Sequence, residues 1–172
     1  MRIDKHGYYL NIADAVSWRS TCLRRLYGAV IVKGDEIIAT GYNGAPRGQE
    51  NCCDLGECTR MKLAIPHGER YELCRSVHAE ANAIISAPRD KMFGATLYLS
   101  GFDAENGKVI AAVPCAMCER LIVNAGISEV IARFAGKHRC ISYTVYCVNE
   151  EKRLDLVSIG ESLYEELGGS KW

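Results

Sequence analysis

The chain has 172 residues, with 21 Lys plus Arg set against 21 Asp plus Glu for a formal net charge of zero. That length suits one domain with a full core, residues 1–172, and the balanced charge offers no global field to draw the molecule to a polyanionic nucleic acid or a membrane surface. The first ten residues carry Arg2, Asp4, Lys5 and His6 where a signal peptide would be apolar, and no later run approaches a membrane span, so a cytoplasmic location is expected and the nine cysteines suit metal binding better than disulfides.

Tyr9, Ile12, Ala13 and Val16 recur at helical spacing and predict an amphipathic helix over 7–19, packed on a sheet. Residues 29–32 and 37–40 are β-rich and flank Lys33-Gly34-Asp35-Glu36, the composition of a tight antiparallel hairpin. Residues 42–76 show no sustained period and are rich in Gly, Cys, Arg and Glu; a stretch of that length is usually functional or held by something other than an apolar face. A helix is predicted over 78–87, with Ala81, Ile84 and Ile85 apolar and Pro88 as its stop. A strand follows at 95–99. Asp103-Ala104-Glu105-Asn106-Gly107-Lys108 has turn composition, and 109–113 is expected to return antiparallel before Pro114 opens another helix. That helix should end at Gly126 and bury Cys118, Leu121, Ile122 and Ala125. Strands are expected at 130–132 and, last, 141–148, then a short helix near 161–167 and a frayed tail. The order ββαβαβ behind a first helix predicts an α/β fold: three layers, α/β/α, around a mixed five-stranded sheet.

His78-Ala79-Glu80 and Pro114-Cys115-Ala116-Met117-Cys118 carry the chemistry. A histidine nitrogen and two thiolates suit zinc, and three protein ligands leave the fourth tetrahedral position open for a water the metal can acidify. Cys115 and Cys118, three apart, share a helix face, and the dipole at a helix start favours their thiolate form. His78 and Glu80 are two apart and would diverge in mid-helix, but at a helix start both can reach one ion, His78 as ligand and Glu80 as proton shuttle. The alternative is a core histidine beside a structural zinc knuckle. A structural site takes four protein ligands, however, and has no use for an acid beside the histidine.

The pattern H-x-E followed by P-C-x-x-C is identified as the zinc deaminase signature. With Gly28-Ala29-Val30-Ile31-Val32 and Gly41-Tyr42-Asn43-Gly44-Ala45-Pro46-Arg47-Gly48 before it, the chain resembles the deoxycytidylate (dCMP) deaminases of the cytidine deaminase superfamily over about residues 5–133. The HAE and PCxxC segments are common to the superfamily, which includes tRNA-adenosine deaminases and the riboflavin-pathway deaminase; the GYNGxPxG loop is what favours dCMP. The resemblance implies a cytidine deaminase-like fold and zinc-dependent hydrolysis of dCMP to dUMP and ammonia, with the dUMP serving thymidylate synthesis. It also implies Asn43 on the deoxyribose, Arg24 on the phosphate, Ala79 among the substrate-binding residues, a homo-oligomer such as a hexamer, and regulation by dCTP and dTTP. Some members carry a second, structural zinc, for which Cys22, Cys52 or Cys53, Cys58 and Cys74 are the matching residues here, with His67 in the same loop.

Each of these has a plainer alternative. Asn43-Gly44 and Pro46 are also ordinary turn residues, Arg24 can be a solvated helix-end charge, and thiols such as Cys140 and Cys147 read as small apolar residues. The chain departs from the family by inserting residues 101–112 ahead of the second motif, and beyond 134 it matches no family pattern. The other functions open to it are deamination of cytidine or cytosine, deamination of tRNA adenosine, which the charge balance disfavours, and a non-catalytic zinc-binding module, which Glu80 argues against.

Overall fold

The computed structural model describes residues 2–66, 68–137 and 140–163. Helix α1 (Lys5–Ser17) opens on Asp4, whose carboxylate accepts a hydrogen bond from the Gly7 N–H at 2.7 Å. Strands β1 (Arg25–Lys33) and β2 (Glu36–Tyr42) form the expected hairpin. Its two-residue turn, Gly34 and Asp35, has positive φ at both positions, the conformation that matches strand twist. Beyond Tyr42, the described residues of 42–76 form single helical turns, α2 (Cys52–Leu55) and α3 (Thr59–Lys62), a 3-10 turn at Tyr71–Leu73 and an isolated bridge from Gly44 to Val77.

Helix α4 (Ala79–Ser86) and the short α5 (Arg89–Met92) precede β3 (Thr96–Asp103), which runs four residues past its predicted end. Residues 109–113 return beside β3 only through an isolated bridge between Phe102 and Val109 and the bond from Ile110 N–H to the Gly101 carbonyl at 3.0 Å. The Ala112 N–H then docks on the Arg133 carbonyl, also at 3.0 Å, and fixes where the chain enters α6 (Ala116–Ala125). Gly126 closes that helix in the left-handed conformation, as predicted. Strands β4 (Glu129–Lys137), β5 (Cys140–Val148) and β6 (Leu154–Leu163) complete the chain.

The sheet order is β2-β1-β3-β4-β5-β6, with only β3 and β4 parallel. The three-layer mixed architecture is therefore as expected, but among the described residues the sheet has six strands and not five. The expected helix over 161–167 is corrected accordingly: 161–163 belong to β6, and 164–167 lie outside the described residues. A bulge at Val145/Tyr146 slips the register by one residue beside Val157, and that slip breaks the period-2 alternation by which a strand is recognised.

Alternation along β1 and β3 separates two cores. Val30, Val32 and Tyr98 meet Tyr9, Leu10 and Ala13 of α1, whereas Ala29, Ile31, Leu97 and Leu99 meet Ala79 and Ala83 of α4 and Ile122 and Ala125 of α6. Two glycines let helices lie directly on the sheet. A Cβ on Gly28 would strike the α1 backbone at Ala13 and Ser17, and one on Gly41 the α4 backbone at Ala79 and Ala83. Leu121, expected on the buried face of α6, is 41% exposed; the inward stripe is Cys118, Ile122 and Ala125. Among the described residues no helix is long and apolar enough to cross a membrane.

Candidate active site

Two helix N-termini converge at one end of the sheet. His78 is the N-cap of α4 and Cys115 the N-cap of α6; both have extended backbone, so their side chains leave the helices at the first turn. Packing of α4 against α6 brings His78 Nδ1 to 3.5 Å from Cys115 Sγ and 3.3 Å from Cys118 Sγ. Among the described residues only this trio brings three metal-ligating atoms within 4.8 Å of one another.

The electrostatics of the trio are those of a ligand set sharing protons. Donation from Cys118 and then contact with His78 bring the Cys115 thiol down to about 3 against the cost of its burial, while the same bond to Cys115, with burial, drives Cys118 up. The hydrogen bond to Cys115 raises His78. One imidazole nitrogen and two sulfurs at this spacing fit zinc, with room for a fourth, non-protein ligand.

Glu80 lies on the first turn of α4, buried beside the trio, and desolvation raises its carboxyl above the usual carboxylate range. Tyr27 of β1 is close by; burial and the charge of Glu80 push its phenol up to about 12. These groups line a cavity of about 610 Å³ whose wall also includes Arg24, Arg25, Asn43, Arg60, Tyr71 and Met117. The Tyr71 ring stands edge-on to His78 with centroids 5.1 Å apart.

Asn43 reaches the cavity wall as expected, but both ends of its carboxamide are engaged by β1. Its Oδ1 accepts from the Tyr27 N–H at 2.7 Å and its Nδ2 donates to the Arg25 carbonyl at 2.8 Å. Arg24 lines the cavity, half-buried. Ala79, at the start of α4, is fully buried in the core and is not among the residues that line the cavity. Tyr27, Arg60 and Tyr71 were not indicated by the sequence. They stand in a strand or in the aperiodic segment with no motif around them.

The thiol cluster divides. Cys22, Cys58 and Cys74 line the same cavity, and Cys52 is buried near enough for all three to bear electrostatically on it. Cys53 is exposed, with its thiol toward Asp54 at 3.5 Å. His67 lies outside the described residues. Cys140 and Cys147 are half-buried on β5.

Residues 3–134 match the family model described as the cytidine and deoxycytidylate deaminase zinc-binding region. The deoxycytidylate deaminase of Mycobacterium phage D29 is 38% identical over 134 residues, covering 76% of this chain and 94% of that protein. The deoxycytidylate deaminase of Schizosaccharomyces pombe is 37% identical over 126 residues, covering 73% of this chain but 35% of its own length, so the chain spans about a third of that relative. Among solved structures, the dCMP deaminase of cyanophage S-TIM5 in complex with dCMP and dUMP superposes with a TM-score of 0.51 at 27% identity, covering 76% of this chain and 81% of that one.

Proposed function

The chain belongs to the family of cytidine and deoxycytidylate deaminases, whose zinc-binding region spans its residues 3–134, and from that premise we propose that it hydrolyses dCMP to dUMP and ammonia. The observation that carries this reading is a buried carboxyl, Glu80, placed beside the His78, Cys115 and Cys118 trio inside a cavity that also presents arginines. Zinc held by the trio would supply Lewis acidity and lower the pKa of water at its open position.

The chain's own groups do the rest. Glu80 takes a proton from the attacking water and passes it to N3 of the pyrimidine; it then takes the remaining hydroxyl proton at C4 and delivers it to the 4-amino group, which leaves as ammonia as the C4 carbonyl forms. Burial of Glu80 keeps bulk solvent from competing for that proton. Asn43, held rigid by β1, presents what remains of its hydrogen-bonding capacity to the deoxyribose. Arg24 reaches the 5′-phosphate.

A second, structural zinc on Cys22, Cys52, Cys58 and Cys74 is part of the same proposal, supported by the gathering of Cys22, Cys58 and Cys74 on one cavity wall with Cys52 near enough to feel their charge; no three of these sulfurs stand within 4.8 Å of one another, so binding would draw them together. Cys53 is the weaker claimant because it points to solvent. Self-association is supported by apolar side chains left exposed on β6, Leu156, Val157 and Ile159; dCTP or dTTP as effectors rest on the family resemblance alone.

The test is ammonia release across dCMP, deoxycytidine, cytidine, cytosine and a tRNA anticodon arm. The expected order places dCMP first, and turnover of the RNA in its place would discard the nucleotide reading. Metal analysis is expected to return about two zinc ions per chain, falling to one in Cys74→Ser; a single ion in the unsubstituted chain would remove the structural site.

A further inference from the structure

Three arginines line the cavity, and they differ in how their charge is compensated. Arg25 is paired with Asp103. Arg24 is half-buried and stands where the chain enters β1. Arg60 is only 5% exposed, yet forms no ion pair with any carboxylate among the described residues. One of its terminal nitrogens donates to the Pro66 carbonyl at 2.6 Å, while its Nε is buried with no hydrogen-bond partner among the described residues. A guanidinium cannot shed its proton, so a buried one must find a counter-charge or carry a large desolvation cost.

Its orientation is fixed. The guanidinium stacks on the face of Tyr71 at 4.6 Å, and that same ring stands edge-on to His78 at 5.1 Å. Tyr71 thus acts as a spacer between the reacting end of the cavity and a preoriented planar cation. A molecule that fills both positions must carry an anionic group at one end and the base to be deaminated at the other.

We infer that Arg60 grips the 5′-phosphate of the substrate, and so sets the preference for a nucleotide over a nucleoside. This deepens the dCMP reading and rests on it. A phosphate monoester meets the two terminal nitrogens of a guanidinium with two parallel hydrogen bonds and supplies the missing counter-charge, which also offsets the cost of burying the unpartnered Nε. Arg24 approaches the same group from the β1 side; Arg60 supplies the dry, preorganised half of the grip.

The experiment measures kcat/KM for dCMP and deoxycytidine, and calorimetric binding of dUMP and deoxyuridine, in the zinc-loaded chain and in Arg60→Gln and Arg60→Lys. In Arg60→Gln the dCMP to deoxycytidine ratio is expected to fall about ten- to a hundredfold, mostly through KM, with a parallel fall in dUMP affinity relative to deoxyuridine. Arg60→Lys, which keeps the charge and loses the fork, should fall between the two. Zinc content and melting temperature identify a variant that has lost its fold, and the ratios in Arg60→Lys then decide. A preference for dCMP that persists unchanged in both variants would overturn the assignment of Arg60 and leave the nucleotide reading standing. Equal constants for dCMP and deoxycytidine in the unsubstituted chain would overturn that reading and this inference together.

Discussion

Glu80 and Asn43 illustrate two different ways in which one side chain matters. Glu80 is buried beside the metal-ligating trio without belonging to it, so Glu80→Gln is expected to abolish ammonia release while metal analysis still finds zinc on His78, Cys115 and Cys118. Loss of the metal in that variant would make Glu80 a ligand and not the proton shuttle. Asn43 is both wall and brace. Asn43→Ala should lower kcat/KM for dCMP and deoxycytidine alike, since both carry the sugar, and it should also cost about 1–3 kcal/mol of stability by stranding the Tyr27 N–H and Arg25 carbonyl. Unfolding in denaturant separates the effects: a variant of unchanged stability would mean that water replaces the carboxamide. The sequence pointed to Glu80 and to Asn43, but only the folded chain revealed that the Asn43 amide is bonded to the neighbouring strand.

At the scale of elements, the site depends on how closely two helices lie on the sheet. Gly41 of β2 faces the first turns of α4, where a side chain would collide with backbone that no rotamer change can move. Gly41→Ala should therefore push α4 outward and carry His78 away from Cys115 and Cys118. Expected results are weaker zinc retention during chelator dialysis and a lower melting temperature, with deamination falling in step with metal content. Full zinc occupancy in this variant would show that α4 can tilt without separating the ligands. The α4 and α6 termini were legible because their caps and stops are local: Pro88 ends one helix, Gly126 the other. The exposure of Leu121 was not, because it depends on which side of α6 the sheet leaves uncovered.

At the scale of the molecule, a buried pair of opposite charges joins the first helix to the middle of the sheet. Arg133 of β4 pairs with Asp14 of α1, which also accepts from Ser100 of β3, and Arg133 stacks 5.7 Å from the Phe102 ring. Arg133→Met breaks a buried pair of opposite charges by removing one member and should cost about 3–5 kcal/mol, a fall in Tm of about 6–20 °C. Adding Asp14→Leu should recover much of the loss; a double variant no more stable than the single would assign the effect to packing. The backbone carbonyl of Arg133 also holds Ala112, two residues before Pro114, so this core pair supports the approach to the site from behind. By itself the sequence determined what depends on neighbours along the chain: the hairpin turn, the helix caps, the zinc-ligating residue types and the acid beside them. Tertiary structure alone decided what depends on meetings across the chain. It decided that β6 adds a sixth strand despite a bulge that hides its alternation, that Cys52 and not Cys53 turns toward the other thiols, and that Arg60 comes to lie buried in the cavity. The physical reason is that pairing register, burial and charge compensation are fixed by groups distant in sequence, and no local pattern encodes which of them will meet.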